Sequence, residues 1–485
     1  MRDYSFGNFL HELRTRTGLT QYQLGALVGV SDKAVSKWEN GSSKPKSGIL
    51  FKLSEVLEIS VDELMSCKYQ SDKRNNLKGI FTMKNQLWNK ADEALHRRYG
   101  NPVPIEIASR FYTEQAQMQN TDMIVYFDML ATLRSKAKAE GEHIRVMGGT
   151  GASFAAYLLG ATDINPLKPH YYCKSCHKVV FDDSVRDGWD LPKKQCSCGK
   201  ALARDGHNIP FETYRHVVGR NTSFLVMISP GFMEKAKSII KSYFKDCKLT
   251  LTDKEDKSAV TVGIASSSES PACTVMLCAD PKLERLAALE RLTATSSERI
   301  DFCEDEVRKS FTSGGADEIP SLKNDFIKDM LKRAKPSSFG DLIQMCGLSH
   351  DTGTWLGNAD SLIDKGMRAE KTIAYHDDVF SYIWERMIRK GFADPGLAYN
   401  VMENTRRGMY ASSSVPEELK QQLKSVGAED WFIDSIGKIK YLFPKAHGVI
   451  CAKSAAVLMW YKIHYPQGIR GVYEVRFPFR ISILN

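Results

Sequence analysis

The order of apolar and polar positions divides the chain before any chemistry is considered. Phe6, Phe9, Leu10 and Leu13 recur at i, i+3, i+4 and i+7, the spacing of one helical face, and the pattern ends near Gly18. Thr20 is placed to cap a second helix with an inner face of Leu24, Leu27 and Val28, and Gly29 follows where the chain must turn. A third helix opens at Ser31, points Val35 and Trp38 inward and stops at Asn40-Gly41. Ile49, Leu50, Leu53, Val56 and Leu57 predict a fourth helix, and Val61, Leu64 and Met65 a fifth. From Lys68 to Asn76 the apolar pattern lapses and polar residues dominate, as in a linker. Helices are predicted at 88–99, 105–118 and 123–139, then a strand at Ile144-Arg145-Val146-Met147, after which the signals are mixed. Near the end, Val472 to Phe477 alternates as a strand until Pro478 interrupts it. No period of about 20–50 residues recurs, which argues against a solenoid or propeller.

A chain of 485 residues has room for roughly three domains. Hydrophobic residues at 42%, aromatic at 10% and charged at 26% exclude a wholly disordered, collagenous or disulfide-scaffold protein. Lys and Arg number 67 against 58 Asp and Glu, and the resulting +9 favours an anionic partner such as nucleic acid without deciding on one. No apolar run approaches the ~18–20 residues that span a bilayer, and the first residues lack a signal-peptide stretch, so no membrane partner and a cytoplasmic location are expected. Of the 11 cysteines, Cys67, Cys247, Cys273, Cys278, Cys303, Cys346 and Cys451 have no mutual spacing that suggests a framework. In a reducing compartment these are expected as buried small apolar residues.

Two short helices joined by a tight turn, the second opening at Ser31 and exposing Lys33, Ser36 and Lys37, form the arrangement that lays a helix in the major groove. The stretch resembles the Cro/repressor-type (XRE) helix-turn-helix family in Gly18-Leu19-Thr20-Gln21, Leu24-Gly25-Ala26, Val30-Ser31 and Val35-Ser36-Lys37-Trp38-Glu39-Asn40-Gly41. The resemblance implies binding of double-stranded DNA, with Gln21 on a phosphate and Ser31, Asp32, Lys33, Ser36 and Lys37 toward base edges or backbone. Trp38 is expected as a core anchor. A helical module kept for protein contacts is the alternative, and a homodimer is the form many such repressors take.

Further on, Gly148-Gly149-Thr150-Gly151-Ala152-Ser153 lies between an apolar run and Phe154 to Leu159. Glycines there let backbone N–H groups approach an anion at a helix start, although a tight strand-to-helix turn without a ligand explains them equally well. Cys173-x2-Cys176 and Cys196-x-Cys198 are separated by 19 residues and can enclose a structural Zn²⁺ between two knuckles. The second pair is one residue short of the usual spacing, so His170, His177 or His207 is a candidate to replace one sulfur; free thiols are the alternative.

Residues 90–220 resemble the start of the polymerase core of the PolC-type alpha subunit of bacterial DNA polymerase III. The matching stretches are Tyr99-Gly100-Asn101-Pro102-Val103-Pro104, the glycine segment, Asn165-Pro166-Leu167-Lys168-Pro169-His170-Tyr171, the cysteine pairs and Gly206-His207-Asn208-Ile209-Pro210-Phe211. Residues 319–466 resemble its later, fingers-like region through Gly347-Leu348-Ser349-His350, Trp355-Leu356-Gly357-Asn358-Ala359 and Lys440-Tyr441-Leu442-Phe443-Pro444-Lys445-Ala446-His447. The resemblance implies that Gly149, Ser153, Lys445 and His447 face a nucleoside triphosphate and primer-template. Arg406, Arg407, Lys438 and Lys440, basic in the same region, are either phosphate contacts or a solvated face.

The departures from that family bear on activity. Such polymerases hold two Mg²⁺ with carboxylates that activate the primer hydroxyl and neutralise the leaving pyrophosphate. The family's Asp-x-Asp pair should follow the Phe211-Glu212 segment shortly; that place reads Ser223-Phe224-Leu225-Val226-Met227-Ile228, with no carboxylate. Around the third acid the chain reads Cys273 to Pro281 and keeps only Asp280, and Met147 stands for an expected arginine. The segment between is short and includes the polar stretch Ser258 to Ser270, and the exonuclease, PHP-like and clamp-binding portions are expected to be absent.

The expected fold is α+β and mostly helical. A five-helix helix-turn-helix domain (1–68) and a linker (69–88) precede a degenerate polymerase palm with zinc knuckles (89–310) and a helical fingers-like region (311–485). The metal ligands are Cys173, Cys176, Cys196 and Cys198 on structural zinc; Mg²⁺ is not expected. The expected function is a DNA-binding regulator in replication, transcription or phage response. Its body would be catalytically inactive and would meet a nucleoside triphosphate or replisome proteins. The alternatives are a polymerase or nucleotidyltransferase with relocated acids Asp280, Glu304 and Asp305, and a decoy of the replicative polymerase. Glu304-Asp305-Glu306 also fits the acidic start of a helix.

Overall fold

The computed structural model describes residues 4–17, 19–57, 59, 61–67, 74–119, 121–214, 223–245, 247–254, 257–263, 273–312, 319 and 325–473. The chain divides into two units, Met1–Thr82 and Met83–Asn485.

In the first unit five helices follow one another: α1 (Tyr4–Arg16), α2 (Gln21–Val28), α3 (Asp32–Glu39), α4 (Ser47–Val56) and α5 (Val61–Ser66). Thr20 opens α2 with a capping box, its hydroxyl accepting from the Gln23 N–H while the Gln23 side chain accepts from the Thr20 N–H. Ser31 caps α3 by accepting from the Ala34 N–H. Phe6, Leu10, Leu13, Leu24, Val28, Val35, Trp38, Leu53 and Leu64 bury their side chains in one shared core. Leu27, expected on the inner face of α2, is instead 58% exposed. The helix is rolled toward Gly25, where a Cβ would lie 2.8 Å from the Val30 carbonyl oxygen, and that roll carries Leu27 to solvent.

The second unit begins within α6 (Arg74–Tyr99) and continues with α7 (Ile105–Met118) and α8 (Met123–Ala139). Residues 74–88 of the expected linker are thus helical, and 68–73 lie outside the described residues. Next come β1 (Ile144–Met147), the glycine turn and α9 (Phe154–Leu159), then the short strands β2 (His170–Tyr172), β3 (Val179–Phe181) and β4 (Ala203–Asp205). They are followed by β5 (Ser223–Ile228), α10 (Met233–Tyr243), β6 (Lys248–Lys254), β7 (Lys257–Gly263), β8 (Cys273–Ala279) and α11 (Pro281–Thr293).

One sheet has the order β1-β5-β8-β7-β6 and the other β3-β2-β4. In the larger, β5 and β8 are parallel while the remaining neighbours are antiparallel. Strand alternation sends Val146, Phe224, Val226, Ile228, Val275 and Leu277 to one buried face. Tyr126 and Phe127 of α8 pack on that face, each about 6 Å from the Phe224 ring centroid (6.0 and 6.3 Å).

Beyond α11 the chain is helical: α12 (Asp305–Thr312), α13 (Asp325–Ala334), α14 (Phe339–Leu348) and further helices that include His376–Arg389, Gly396–Arg406, Asp430–Ile436 and Lys445–His464. Their core is built from Val379, Phe380, Ile383, Val401, Phe432, Ile433 and Ile436. The strand expected at Val472 to Phe477 is corrected where the structure describes it, because Val472 and Tyr473 end the helix Pro466–Tyr473. Ile469 and Val472, three residues apart, bury together against Leu286, Leu289 and Tyr461, a helical contact that a two-residue alternation would break. Residues 474–477 lie outside the described part.

Candidate functional site

On the first unit, Ser31, Asp32, Lys33 and Lys37 are exposed along α3 and Ser36 is half-buried. Lys33, Ser36 and Lys37 share one helix face by their three- and four-residue spacing. Gln21, expected on a phosphate, is half-buried at the start of α2. Its Nε2 donates to Glu39 Oε2 at 2.8 Å, and Arg14 Nη2 donates to the same oxygen at 3.0 Å. Burial alone would push the Glu39 carboxyl up; hydrogen bonds from Arg14, Gln21 and His11 outweigh it and hold the group below its ordinary range. Gln21 thereby ties α2 to the end of α3.

On the second unit the four cysteines converge: their Sγ atoms all lie within 4.8 Å of one another. Cys173 and Cys198 are 3.5 Å apart and Cys176 and Cys196 3.4 Å apart, close to the ~3.7 Å edge of a tetrahedron of four thiolates on zinc. The shortened second pair reaches the cluster because Gly199, with φ of 79°, turns the chain directly after Cys198. No histidine is required. His170 is bound to Tyr99 and the Lys168 carbonyl, His177 to the Arg98 carbonyl, and His207 to Asp187. Backbone N–H groups aimed at sulfur lower the Cys173 thiol and bring Cys196 down to about 6, while crowding by the neighbouring sulfurs raises Cys176 and Cys198, so without a cation the cluster shares its protons between two low and two high thiols. Deprotonated sulfur is the form that ligates. The residues present fit Zn²⁺.

The glycine turn packs on the start of the helix Lys445–His464, so the two segments expected to face a triphosphate are neighbours. A Cβ on Gly151 would lie 2.9 Å from that of Ala446, and one on Gly149 would lie 4.0 Å from that of Pro444. Ser153 does not face outward. It is fully buried, caps α9 and donates to Glu114 Oε2 at 2.9 Å. The buried Glu114 carboxylate also accepts from the N–H groups of Phe154 (2.9 Å) and Ala155 (3.2 Å) and from Arg110 Nε (2.6 Å). The place an anion would take at this helix start is filled by the protein's own carboxylate.

Lys445 Nζ donates to the His207 carbonyl oxygen at 2.7 Å, and its backbone N–H donates to Asp377 Oδ2 at 2.6 Å. Arg406 is paired with Glu403 through Nε and Nη2 at 2.9 and 2.8 Å, and Arg407 with the same acid at 2.5 Å. Lys438 is exposed and donates to the Gly357 carbonyl at 2.9 Å; Lys440 is exposed. The imidazole of His447 is half-buried, and burial followed by the neighbouring His350 brings it down to about 4.

β5 and β8, the strands expected to carry metal-binding acids, are inner strands of the large sheet. The sheet face opposite the one packed on α8 aligns Met147, Leu225 and Met276 in one row and Arg145, Met227 and Cys278 in the next. Met276 is 39% exposed there. Asp280 caps α11, its carboxylate accepting from the Lys282 N–H at 3.0 Å. Glu304 pairs with His464, and Asp305, at the start of α12, pairs with Arg308 at 2.9 Å. Among the described residues, Asp280, Glu304 and Asp305 form no cluster close enough to share an ion.

Reasoning from sequence missed Glu114, Arg145 and a cleft of about 910 Å³. Arg97, Arg98, Arg134, Lys138, Arg145, Lys174 and Lys453 line it and outnumber Glu142, Asp163 and Glu298. The basic residues come from α6, α8, β1, the turn between β2 and β3 and the helix Lys445–His464, too far apart in sequence to show as a charge run. No helix among the described residues is long and apolar enough to cross a membrane.

A five-helix unit with a lysine-bearing third helix, and a mixed sheet joined to cysteine knuckles and a glycine turn, define a helix-turn-helix domain on a polymerase-like body. The helix-turn-helix family model matches residues 10–64. The model of the bacterial DNA polymerase III alpha NTPase domain matches 85–221, and that of the alpha subunit finger domain 282–388. This chain therefore combines a helix-turn-helix domain with a DNA polymerase III alpha-type body. Among similar proteins, the "DNA polymerase III PolC-type" of Thermotoga petrophila is 28% identical over 466 residues, covering 77% of this chain and 33% of the relative. That of Caldanaerobacter subterraneus subsp. tengcongensis is 28% identical over 476 residues (79% and 33%), and that of Streptococcus thermophilus 27% over 463 (76% and 31%). The chain spans about a third of the length of the curated relatives it matches.

Proposed function

We propose that the chain is a sequence-specific DNA-binding protein whose PolC-like body binds a polyanion but does not polymerise DNA. The observation that carries the reading is the makeup of the second face of β1, β5 and β8, opposite the one packed on α8. Leu225, Met227, Met147 and Met276 stand there in register, and neither β5 nor β8 contains a carboxylate. In-line transfer of a nucleotidyl group needs metals to stabilise both the attacking and leaving oxygens, and methionine and leucine cannot hold Mg²⁺. Removal of the metals leaves a fold with a DNA reader and a basic cleft, which suits regulation or partner binding.

Lys33, Ser36 and Lys37 then read DNA from α3, and Lys445 and Arg110 brace the body from within. Primer extension with Mg²⁺ or Mn²⁺ tests the loss of catalysis: no template-dependent incorporation is expected, and incorporation abolished by Lys445→Ala would overturn it. Footprinting tests the reader. Protection at a specific site should vanish in the Lys33→Ala/Lys37→Ala variant, whereas unchanged protection would move the DNA site into the body.

A further inference from the structure

The helix Lys445–His464 carries His447 and Cys451 four residues apart, one turn above the other on the same face. Opposite them stands His350, two residues beyond the end of α14. One ligand atom from each of the three side chains lies within 4.8 Å of the others, and all three residues are half-buried. Phe443 closes one side, its ring centroid 4.7 Å from that of His350 and 4.8 Å from that of His447.

Two glycines bring these elements together. Tyr375 is buried between them: a Cβ on Gly448 would lie 1.7 Å from its Oη, and one on Gly347 would lie 2.6 Å from its Cζ. Only bare backbone lets α14 and the long helix close on one ring. His350 is also oriented in advance, because its Nδ1 can only donate to the Cys346 carbonyl oxygen, which turns the Nε2 lone pair outward. A donor bond of this kind on the far ring nitrogen is what fixes imidazoles in metal sites. The His447 ring and the Cys451 thiol make no hydrogen bond among the described residues.

We propose that His350, His447 and Cys451 bind one Zn²⁺, separate from the four-cysteine cluster, with the fourth position taken by water. Two imidazoles and one thiolate are the borderline-soft set zinc prefers, and three protein ligands leave one position open. The same set is a poor match for Mg²⁺, which requires hard oxygen ligands. Zn–N and Zn–S lengths of about 2.0 and 2.3 Å put ligand atoms ~3.3–3.6 Å apart, so the side chains draw in by roughly an ångström through their own torsions. Cys451 gives up its thiol proton to solvent as the Zn–S bond forms. His447 is then a metal ligand, whether or not the body polymerises.

The test uses the full chain loaded with Zn²⁺, desalted and measured for bound metal. The Cys451→Ala and His447→Ala variants should each carry one equivalent fewer than wild type while keeping the wild-type circular dichroism. Loss of metal through unfolding is separated by a second measurement on wild type alone: alkylation of Cys451, followed by peptide mass mapping, should slow at least tenfold when Zn²⁺ is added to metal-free protein. Equal metal content in wild type and folded variants, or a Cys451 alkylation rate indifferent to Zn²⁺, would overturn the site.

Discussion

Glu114 offers the most direct test of how the body is held together. It is fully buried and its carboxylate gathers four donors: Arg110 Nε at 2.6 Å, the Phe154 and Ala155 N–H groups at 2.9 and 3.2 Å, and the Ser153 hydroxyl at 2.9 Å. Glu114→Ala removes the charge from beside a guanidinium and strips two backbone donors at the start of α9. Arg110 keeps its bonds to the carbonyl oxygens of Ala152 and Ile209, at 2.6 and 3.0 Å, and so stays in place as a cation only 17% exposed and without its partner. Breaking a buried pair by removing one member costs about 3–5 kcal/mol, and the loss here is expected near 4 kcal/mol. Glu114→Gln keeps the shape but turns an amide NH₂ toward N–H donors, so about half that loss is expected. Urea unfolding followed by circular dichroism measures both. The Ala variant also opens a cationic pocket at a helix start, so acetate should raise its unfolding midpoint relative to chloride and leave wild type unmoved. A loss below about 1 kcal/mol, or an acetate effect equal in both proteins, would refute the account of Glu114 as an internal anion.

Asp190 gives a pH dependence of known sign. Its carboxylate accepts from the Phe339 and Gly340 N–H groups at 2.7 and 2.8 Å, yet burial dominates and raises the group from 3.8 to about 6. The folded state then holds a proton the unfolded chain has released, so stability should fall between pH 4 and 6 by roughly 2–3 kcal/mol, and Asp190→Asn should remove that slope in urea titrations. In the first unit a Cβ on Gly7 would lie 2.2 Å from the Glu39 carbonyl oxygen. Gly7→Ala should therefore separate α1 from α3, lower the melting transition and abolish the DNA footprint, whereas wild-type binding would contradict the packing. Cys198→Ser should lower zinc content by one equivalent and speed proteolysis between β2 and β4, as measured by mass spectrometry of the fragments. Asp163, its side chain 54% exposed at the cleft, is held below the ordinary carboxylate range: the water it loses in the cleft would raise it, but Lys453 and Arg134 outweigh that. Its contribution is present above about pH 4 and lost below, so Asp163→Asn should flatten acid unfolding in that range.

Local signals carried the helix-turn-helix unit almost whole. Thr20, Ser31 and the Leu24–Val28 and Val35–Trp38 pairs act through neighbours three or four residues away, so capping and periodicity are visible in the sequence. Leu27 marks where that reasoning stops, since only the packing of Gly25 on the Val30 carbonyl decides how far α2 is rolled. The four cysteines were legible as a set, but the sufficiency of the short Cys196-x-Cys198 pair depended on the turn at Gly199. Ser153 looked like a nucleotide-side residue because its motif is local; the group that occupies it, Glu114, lies 39 residues earlier.

The sequence by itself determined that this protein joins a helix-turn-helix domain to a body of polymerase III alpha type, and that β5 and β8 carry leucine and methionine and no carboxylate. These are matters of residue identity and short-range order. The tertiary structure decided which side chains meet: that Gln21 belongs to Glu39, that a carboxylate fills the anion site at α9, that basic residues from separate elements share one cleft, and that His350 faces His447 and Cys451. Such pairings depend on helix roll and on the close approach of backbones at glycine, and they are set only when distant segments compete to bury the same surfaces.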